Sequence, residues 1–229
     1  MGLNANGTTS VKPQIVGGYF GLNLVNTDKL VFVTELNRIA KKLGIATNWL
    51  LIVMYKESTI QPGARNIQNG NLIAGGLIQF IKKTAIGLGT TLDQILKMGY
   101  LDQLKYVEKY YTPYKGLIKS YSDLYLVTFY PAALGKPDSF IFGKDSEQRA
   151  LIAKQNKGLD YGNKGYITMV DFKKYVYKNL PTEALQLVKP GSENNNASNL
   201  APVEITAKPT YYIFAAILIG LGLIAYQKR

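Results

Sequence analysis

The hydrophobic pattern changes character several times along the chain. Residues 1–27 are rich in Gly, Asn and Thr, with a short apolar run at Val16–Leu24. They lack the basic start and small-residue cleavage site of a signal peptide, and Asn6 stands where a myristoylation pattern needs Ser or Thr. Helical periodicity sets in at Asp28: Leu36, Ile39, Ala40 and Leu43 form one stripe, and Gly44 supplies a stop. Thr47 or Asn48 is expected to cap a second helix, which Pro62 keeps from extending far. Positions three or four apart stack along a helix, so Trp49, Leu50, Val53, Met54 and Glu57 share a face. Further helices are predicted around Lys82–Leu88, Leu92–Met98, Tyr100–Tyr111, Asp123–Leu134, Asp145–Gln155 and Met169–Leu180. Strand signals are scarce. The pattern predicts a mainly α domain over residues 28–180.

Beyond it the pattern breaks down. Residues 181–210, including "GSENNNASNLAPVEITAKP", are polar, Pro-punctuated and aperiodic, as expected of a flexible linker. Residues 211–226 are uncharged, with tyrosines at both margins and basic residues following. At about 1.5 Å per residue they span about 24 Å against a hydrocarbon core of about 30 Å, a mismatch that interfacial tyrosines absorb. The expectation is a single C-terminal transmembrane helix with lipid as a partner, and hence a membrane-anchored chain.

Composition narrows the chemistry. Among 229 residues there is no Cys and no His, which excludes disulfide frameworks, thiol nucleophiles, Ser-His-Asp triads and His/Cys zinc sites. The net charge is +12, from 27 basic and 15 acidic residues, so an anionic partner is expected. The basic residues are scattered and no nucleic-acid-binding motif is present, so an anionic glycan or surface fits better than nucleic acid.

Against that background Glu57 stands out, because it ends an apolar helix before a Gly-rich, polar turn. A helix C-terminus disfavours a carboxylate, and Trp49, Val53 and Met54 would desolvate it; both effects raise its pKa. A carboxyl kept protonated near neutral pH suits general-acid attack on a glycosidic bond. A satisfied structural acid is the alternative that such a residue leaves open.

"YKES" (55–58) followed by "AGGLIQF" (74–80) resembles the Glu-Ser and Gly-Leu-(Met/Ile)-Gln motifs of the lytic transglycosylases, a family related to goose-type lysozyme. The phage-associated branch is the most similar. The resemblance extends through "TAIGLGTT", "QLKYVEKYY", "DLYLVTFYPAALGK" and "NKGLDYGNKGYIT", covering roughly residues 30–180. It implies a lysozyme-like domain in which Glu57 is the catalytic acid/base. Ser58 is implied as a hydroxyl orienting Glu57 or a sugar substituent, and Gln79 as a glycan-contacting amide. Gly75 and Gly76 would permit close backbone approach there. The family's Ala-Tyr-Asn-Ala-Gly motif brings a Tyr towards the Glu; "FYPAALG" is the nearest match, pointing to Tyr130, with Pro131 in place of Asn.

Most glycosidases pair two carboxylates. The acids downstream, Asp93, Asp102, Glu108 and Asp123, lie in mixed-charge helical surroundings expected to be solvated. The resemblance implies one Glu acting first as acid and then as base, while the substrate's C6 hydroxyl attacks the anomeric carbon. The implied substrate is the glycan strand of bacterial peptidoglycan, cut between N-acetylmuramic acid and N-acetylglucosamine to leave a 1,6-anhydro end. No cofactor is implied. The expected setting is the membrane of a phage virion, with virion proteins as further partners, or else a bacterial envelope. A goose-type hydrolase using water, and a non-catalytic wall-binding or virion structural protein, are the alternatives. Asp160–Asp171 has the 12-residue length of a calcium loop, but Gly162 and Lys164 occupy its third and fifth ligand positions, so no metal is expected.

Overall fold

The computed structural model describes residues 11–188. It opens with a hairpin, β1 (Ile15–Val16) and β2 (Tyr19–Phe20), followed by helices α1 (Lys29–Leu43) and α2 (Thr47–Ser58). A three-stranded antiparallel sheet comes next: β3 (Arg65–Gln68), β4 (Asn71–Gly75) and β5 (Phe80–Ile81). The rest is helical: α3 (Lys82–Gly87), α4 (Leu92–Ile95), α5 (Tyr100–Tyr111), α6 (Tyr121–Phe129), α7 (Ser146–Gln155), α8 (Met169–Tyr177) and α9 (Thr182–Val188). About half of the described residues are helical, so the expected mainly α domain is corrected to a mixed one with two small sheets.

The β1–β2 and β3–β4 hairpins turn on two residues at positive φ, Gly17 (58°) with Gly18 (85°) and Asn69 (50°) with Gly70 (76°). Such pairs match the right-handed twist of the flanking strands. Asn69-Gly70 is a strong local hairpin signal, and it turns the expected polar loop after Glu57 into a sheet.

Helix α1 begins where Asp28 accepts hydrogen bonds from Leu30 N (2.9 Å) and Val31 N (3.1 Å), and ends at Gly44 in the left-handed region (φ 74°). Phe32, Leu36, Ile39, Ala40 and Leu43 form its buried face. Helix α2 starts after Ala46, which offers no side-chain cap. The two residues expected to cap it lie inside the first turn and bind elsewhere. Thr47 Oγ1 donates to Asn37 Oδ1 (2.7 Å), and Asn48 clamps the first hairpin through Phe20 N (2.9 Å) and Gly18 O (2.9 Å).

Helix α2 is the centre of the fold, packed by α1, β2, α6 and α9. Asn48 to Met54 and Lys56 to Ser58 are all buried, so the helix has no wide solvent face. Helix α6 stops at Phe129, short of the expected Leu134. Pro131 disfavours helical geometry in the residue before it, and Tyr130 is extended (φ −153°). Helix α9 occupies part of the expected linker and buries Ala184 and Val188 against the core.

The expected transmembrane segment, 211–226, lies outside the described residues. Among the described residues no helix is long and apolar enough to cross a membrane. Buried α2, at 12 residues, is about 18 Å long and falls well short of a bilayer core. The C-terminal transmembrane helix and the membrane-anchored localisation expected from it, whether in a virion membrane or a bacterial envelope, are corrected accordingly.

Candidate active site

Glu57 sits in the last turn of α2. The helix ends because Thr59 (φ 55°) and Ile60 (φ 58°) turn left-handed, with Ile60 N returning to Met54 O (3.2 Å). Two consecutive non-Gly residues in this region are costly, and full burial of Ile60 offsets part of that cost. The turn holds Glu57 inside the protein, where it is 7% exposed.

Burial pushes the Glu57 carboxyl up to about 7; the Tyr125 hydroxyl and the neighbouring Lys56 charge pull in the opposite direction. Tyrosines surround it: Tyr110 and Tyr111 from α5, Tyr121 and Tyr125 from α6, and Tyr175 from α8 are all electrostatically coupled to the acid. Tyr110 donates to Val127 O (2.7 Å), and Tyr111 shares a hydrogen bond with Thr128 Oγ1 (2.6 Å). Glu57 Oε2 is buried without a hydrogen-bond partner, as is the Tyr121 hydroxyl. Buried polar atoms are rarely left unmade, because each orphan costs about 1–3 kcal/mol.

Ser58 joins Glu57 to the second strand pair. Its hydroxyl lies 2.9 Å from both Met54 O and Leu77 O, and it accepts from Gln61 N (3.3 Å). That fixes the end of α2 against the segment carrying Gln79. Gln79 is buried at positive φ (53°) and its amide donates to Gly76 O (3.1 Å). Beneath this segment lies Gln103, fully buried, which accepts from Leu77 N (2.8 Å) and donates to Pro62 O (2.7 Å) and Ile95 O (2.9 Å). The two glycines have an internal reason. A Cβ at Gly75 would meet Leu96 at 2.7 Å, and one at Gly76 (φ +82°) would meet Gln103 Oε1 at 2.7 Å.

Tyr130 is not among the groups acting on Glu57. Its half-buried ring packs edge-on against Phe142 (5.3 Å) and near Phe140 (6.5 Å), and its hydroxyl reaches the Gly143 backbone. Tyr125 is the tyrosine at the acid. The Tyr121/Tyr125 pair, four residues apart on one helical face, is the signal for it in the sequence.

The other acids have separate commitments. Glu108 is bound by Arg38 and Lys42 and held down to about 2, chiefly by the Arg38 hydrogen bond. Asp102 pairs with Lys105 at the surface, and Asp123 accepts from Lys119 N (2.9 Å) in the first turn of α6. None of these groups, nor Asp93, is among those acting on Glu57. In the 160–171 loop, Asp160 accepts from the backbone of Lys164 (2.8 Å) and Gly165 (2.9 Å). The Lys164 ammonium lies 2.6 Å from Asp171 Oδ2 and supplies the positive charge inside the loop. Among the described residues no group of three or more His, Cys, Asp or Glu could hold a metal ion.

The arrangement is thus one buried carboxyl with an unpartnered oxygen, wrapped in hydroxyls and with no second acid among the described residues acting on it. Comparison with known protein families, curated proteins and solved structures finds no match to this chain.

Proposed function

We propose that this protein is a peptidoglycan lytic transglycosylase that cleaves the β-1,4 bond between N-acetylmuramic acid and N-acetylglucosamine, with Glu57 as acid and then base. The observation that carries this reading is the Glu57 carboxyl itself: buried, raised to about 7, and with Oε2 unpartnered. At neutral pH a substantial fraction of it keeps a proton, and no group among the described residues bonds the free oxygen. The Glu-Ser and Gly-Leu-Ile-Gln motifs support the same assignment, as does the tie that Ser58 makes between them.

The chemistry follows from having one acid. Glu57 protonates the glycosidic oxygen as the bond to the anomeric carbon breaks, so the leaving sugar departs as a hydroxyl. The muramoyl C6 hydroxyl attacks the anomeric carbon and passes its proton back to the Glu57 carboxylate. One proton is lent and returned, no water is consumed, and no second carboxylate is needed. Tyr125 steadies the ionised form between the two steps. The net charge of +12 favours docking on an anionic wall.

The test is product analysis. The full chain is incubated with purified peptidoglycan, and the released muropeptides are weighed by mass spectrometry. Anhydro-muramoyl ends are expected. Reducing ends would identify a hydrolase using the same acid, and absence of soluble fragments would overturn the enzymatic reading.

A further inference from the structure

Lys56, directly before Glu57, is a buried ammonium to which no carboxylate among the described residues is bound. Its Nζ donates into the C-terminal end of α8, to Tyr175 O (3.3 Å), Val176 O (3.2 Å) and Lys178 O (3.4 Å). Helix C-termini present unpaired carbonyls and partial negative charge, so a cation there satisfies both. The same ammonium lies over two rings, 4.6 Å from the centroid of Tyr175 and 5.3 Å from that of Tyr125. Both tyrosines belong to the shell around Glu57, and Tyr125 is the one whose hydroxyl acts on the carboxyl.

We propose that Lys56 is a positioning residue for Glu57: it holds the Tyr125 ring and the last turn of α8 around the acid, and supplies the positive charge against which the carboxyl ionises. This rests on the reading of Glu57 as the working acid. Lys56 ties three helices together at one point, with α2 providing the lysine, α6 the Tyr125 ring, and α8 the carbonyls and the Tyr175 ring. A lysine serving only as a cap would need neither ring.

The ionisable surroundings favour this role. Glu57 from α2, Tyr125 from α6 and Tyr175 from α8 face the ammonium, and α9, which also packs on α2, offers only the exposed Glu183. Burial lowers Lys56 to about 8, while Glu57 pulls it the other way. The charge is therefore present while Glu57 cycles at neutral pH and fades as the solution turns alkaline. Removing it deprives the ionised carboxyl of its nearby cation, so the protonated form must persist to higher pH.

The experiment titrates the Glu57 carboxyl carbon by NMR in full-length wild type, Lys56→Met and Lys56→Arg, alongside pH profiles of glycan cleavage. In Lys56→Met the Glu57 midpoint is expected to rise by about 1 pH unit, the alkaline limb of kcat following it and KM holding. In Lys56→Arg both stay near wild type. A folded Lys56→Met with an unmoved Glu57 midpoint overturns the proposal, since a purely structural cap would alter melting temperature alone. Should Lys56→Met fail to fold, the wild-type titration decides. A second inflection of the Glu57 carbon where the Lys56 side chain loses its proton supports the coupling, and a single inflection overturns it. A wild type that cuts no glycan defeats the functional reading, while the titration still reports on Lys56.

Discussion

Glu57 and Asp171 are equally little exposed, each 7%, yet Glu57 lies far deeper and their surroundings are opposite. Asp171 sits in the first turn of α8, where the helix dipole favours an anion, and closes a capping box with Thr168. Its Oδ2 accepts from Lys164 Nζ (2.6 Å), Thr168 N (2.8 Å) and Thr168 Oγ1 (2.7 Å). Burial pushes its carboxyl up, but the Lys164 and Thr168 hydrogen bonds outweigh this and hold it below the usual range. Glu57 sits in the last turn of α2, where the dipole is adverse, with hydroxyls and one flanking ammonium around it and an oxygen left over. Low exposure alone does not raise a carboxyl's pKa. What differs is how deep the carboxyl lies and whether the fold supplies enough donors to use up its lone pairs.

That contrast is most directly broken by Glu57→Gln. The amide cannot deliver a proton, so cleavage is expected to fall by about 10²–10⁴-fold or more, read as turbidity loss of purified cell walls. Stability should move the other way. Because the folded-state pKa lies above the unfolded value, the carboxyl costs stability as pH rises from 4.5 to about 7. Glu57→Gln is thus expected to unfold at higher urea than wild type at pH 8, by at most about 3 kcal/mol, and equally with it at pH 4. Wild-type lysis by the variant would remove Glu57 from the chemistry.

Asp171→Ala should show the reverse signature. It loses the cap and strands Lys164, costing about 1–3 kcal/mol in urea unfolding, with cleavage per folded molecule unchanged. The Asp171 carboxyl is held low, so its contribution is present above pH 3.8 and lost as pH falls through the folded-state value. Measured stability should therefore decline in acid in wild type and less so in the variant. A tenfold loss of cleavage in a folded Asp171→Ala would join the loop to the site.

Smaller effects sharpen the picture. Tyr125→Phe removes the hydroxyl that favours ionised Glu57, so kcat should drop about tenfold and its alkaline limb should move up. Tyr130→Phe should leave that limb in place, which separates the two tyrosines. Adding calcium or a chelator should leave the melting temperature unchanged, because Lys164 already places a positive charge on Asp171.

Legibility in the sequence followed the range of the forces involved. The span of α1 was readable because its apolar stripe, Asp28 cap and Gly44 stop are all local. The sheet at residues 65–81 was not, although Asn69-Gly70 marked its turn, because its strands are only two to five residues long. The ends of α2 and α6 were misplaced for different reasons. Asn48 is drawn into clamping a hairpin 28 residues away, and Pro131 acts on the residue before it. The anchor expected at 211–226 rested on an uncharged run with flanking tyrosines and basic residues, a segment outside the described residues, and no helix among the described residues meets the length and apolarity of a span.

The sequence by itself determined that an acid would end a buried helix, that no His or Cys could assist it, and that a glycine-rich segment would follow. These are matters of residue type and helical period. Only the tertiary structure decided which groups reach that acid. It brought Tyr125 and Tyr175 from distant helices, placed Lys56 between their rings, packed Tyr130 on Phe142, and left Oε2 of Glu57 without a partner. Donor supply at a buried atom depends on how helices far apart in the chain pack together, and no local pattern encodes that sum.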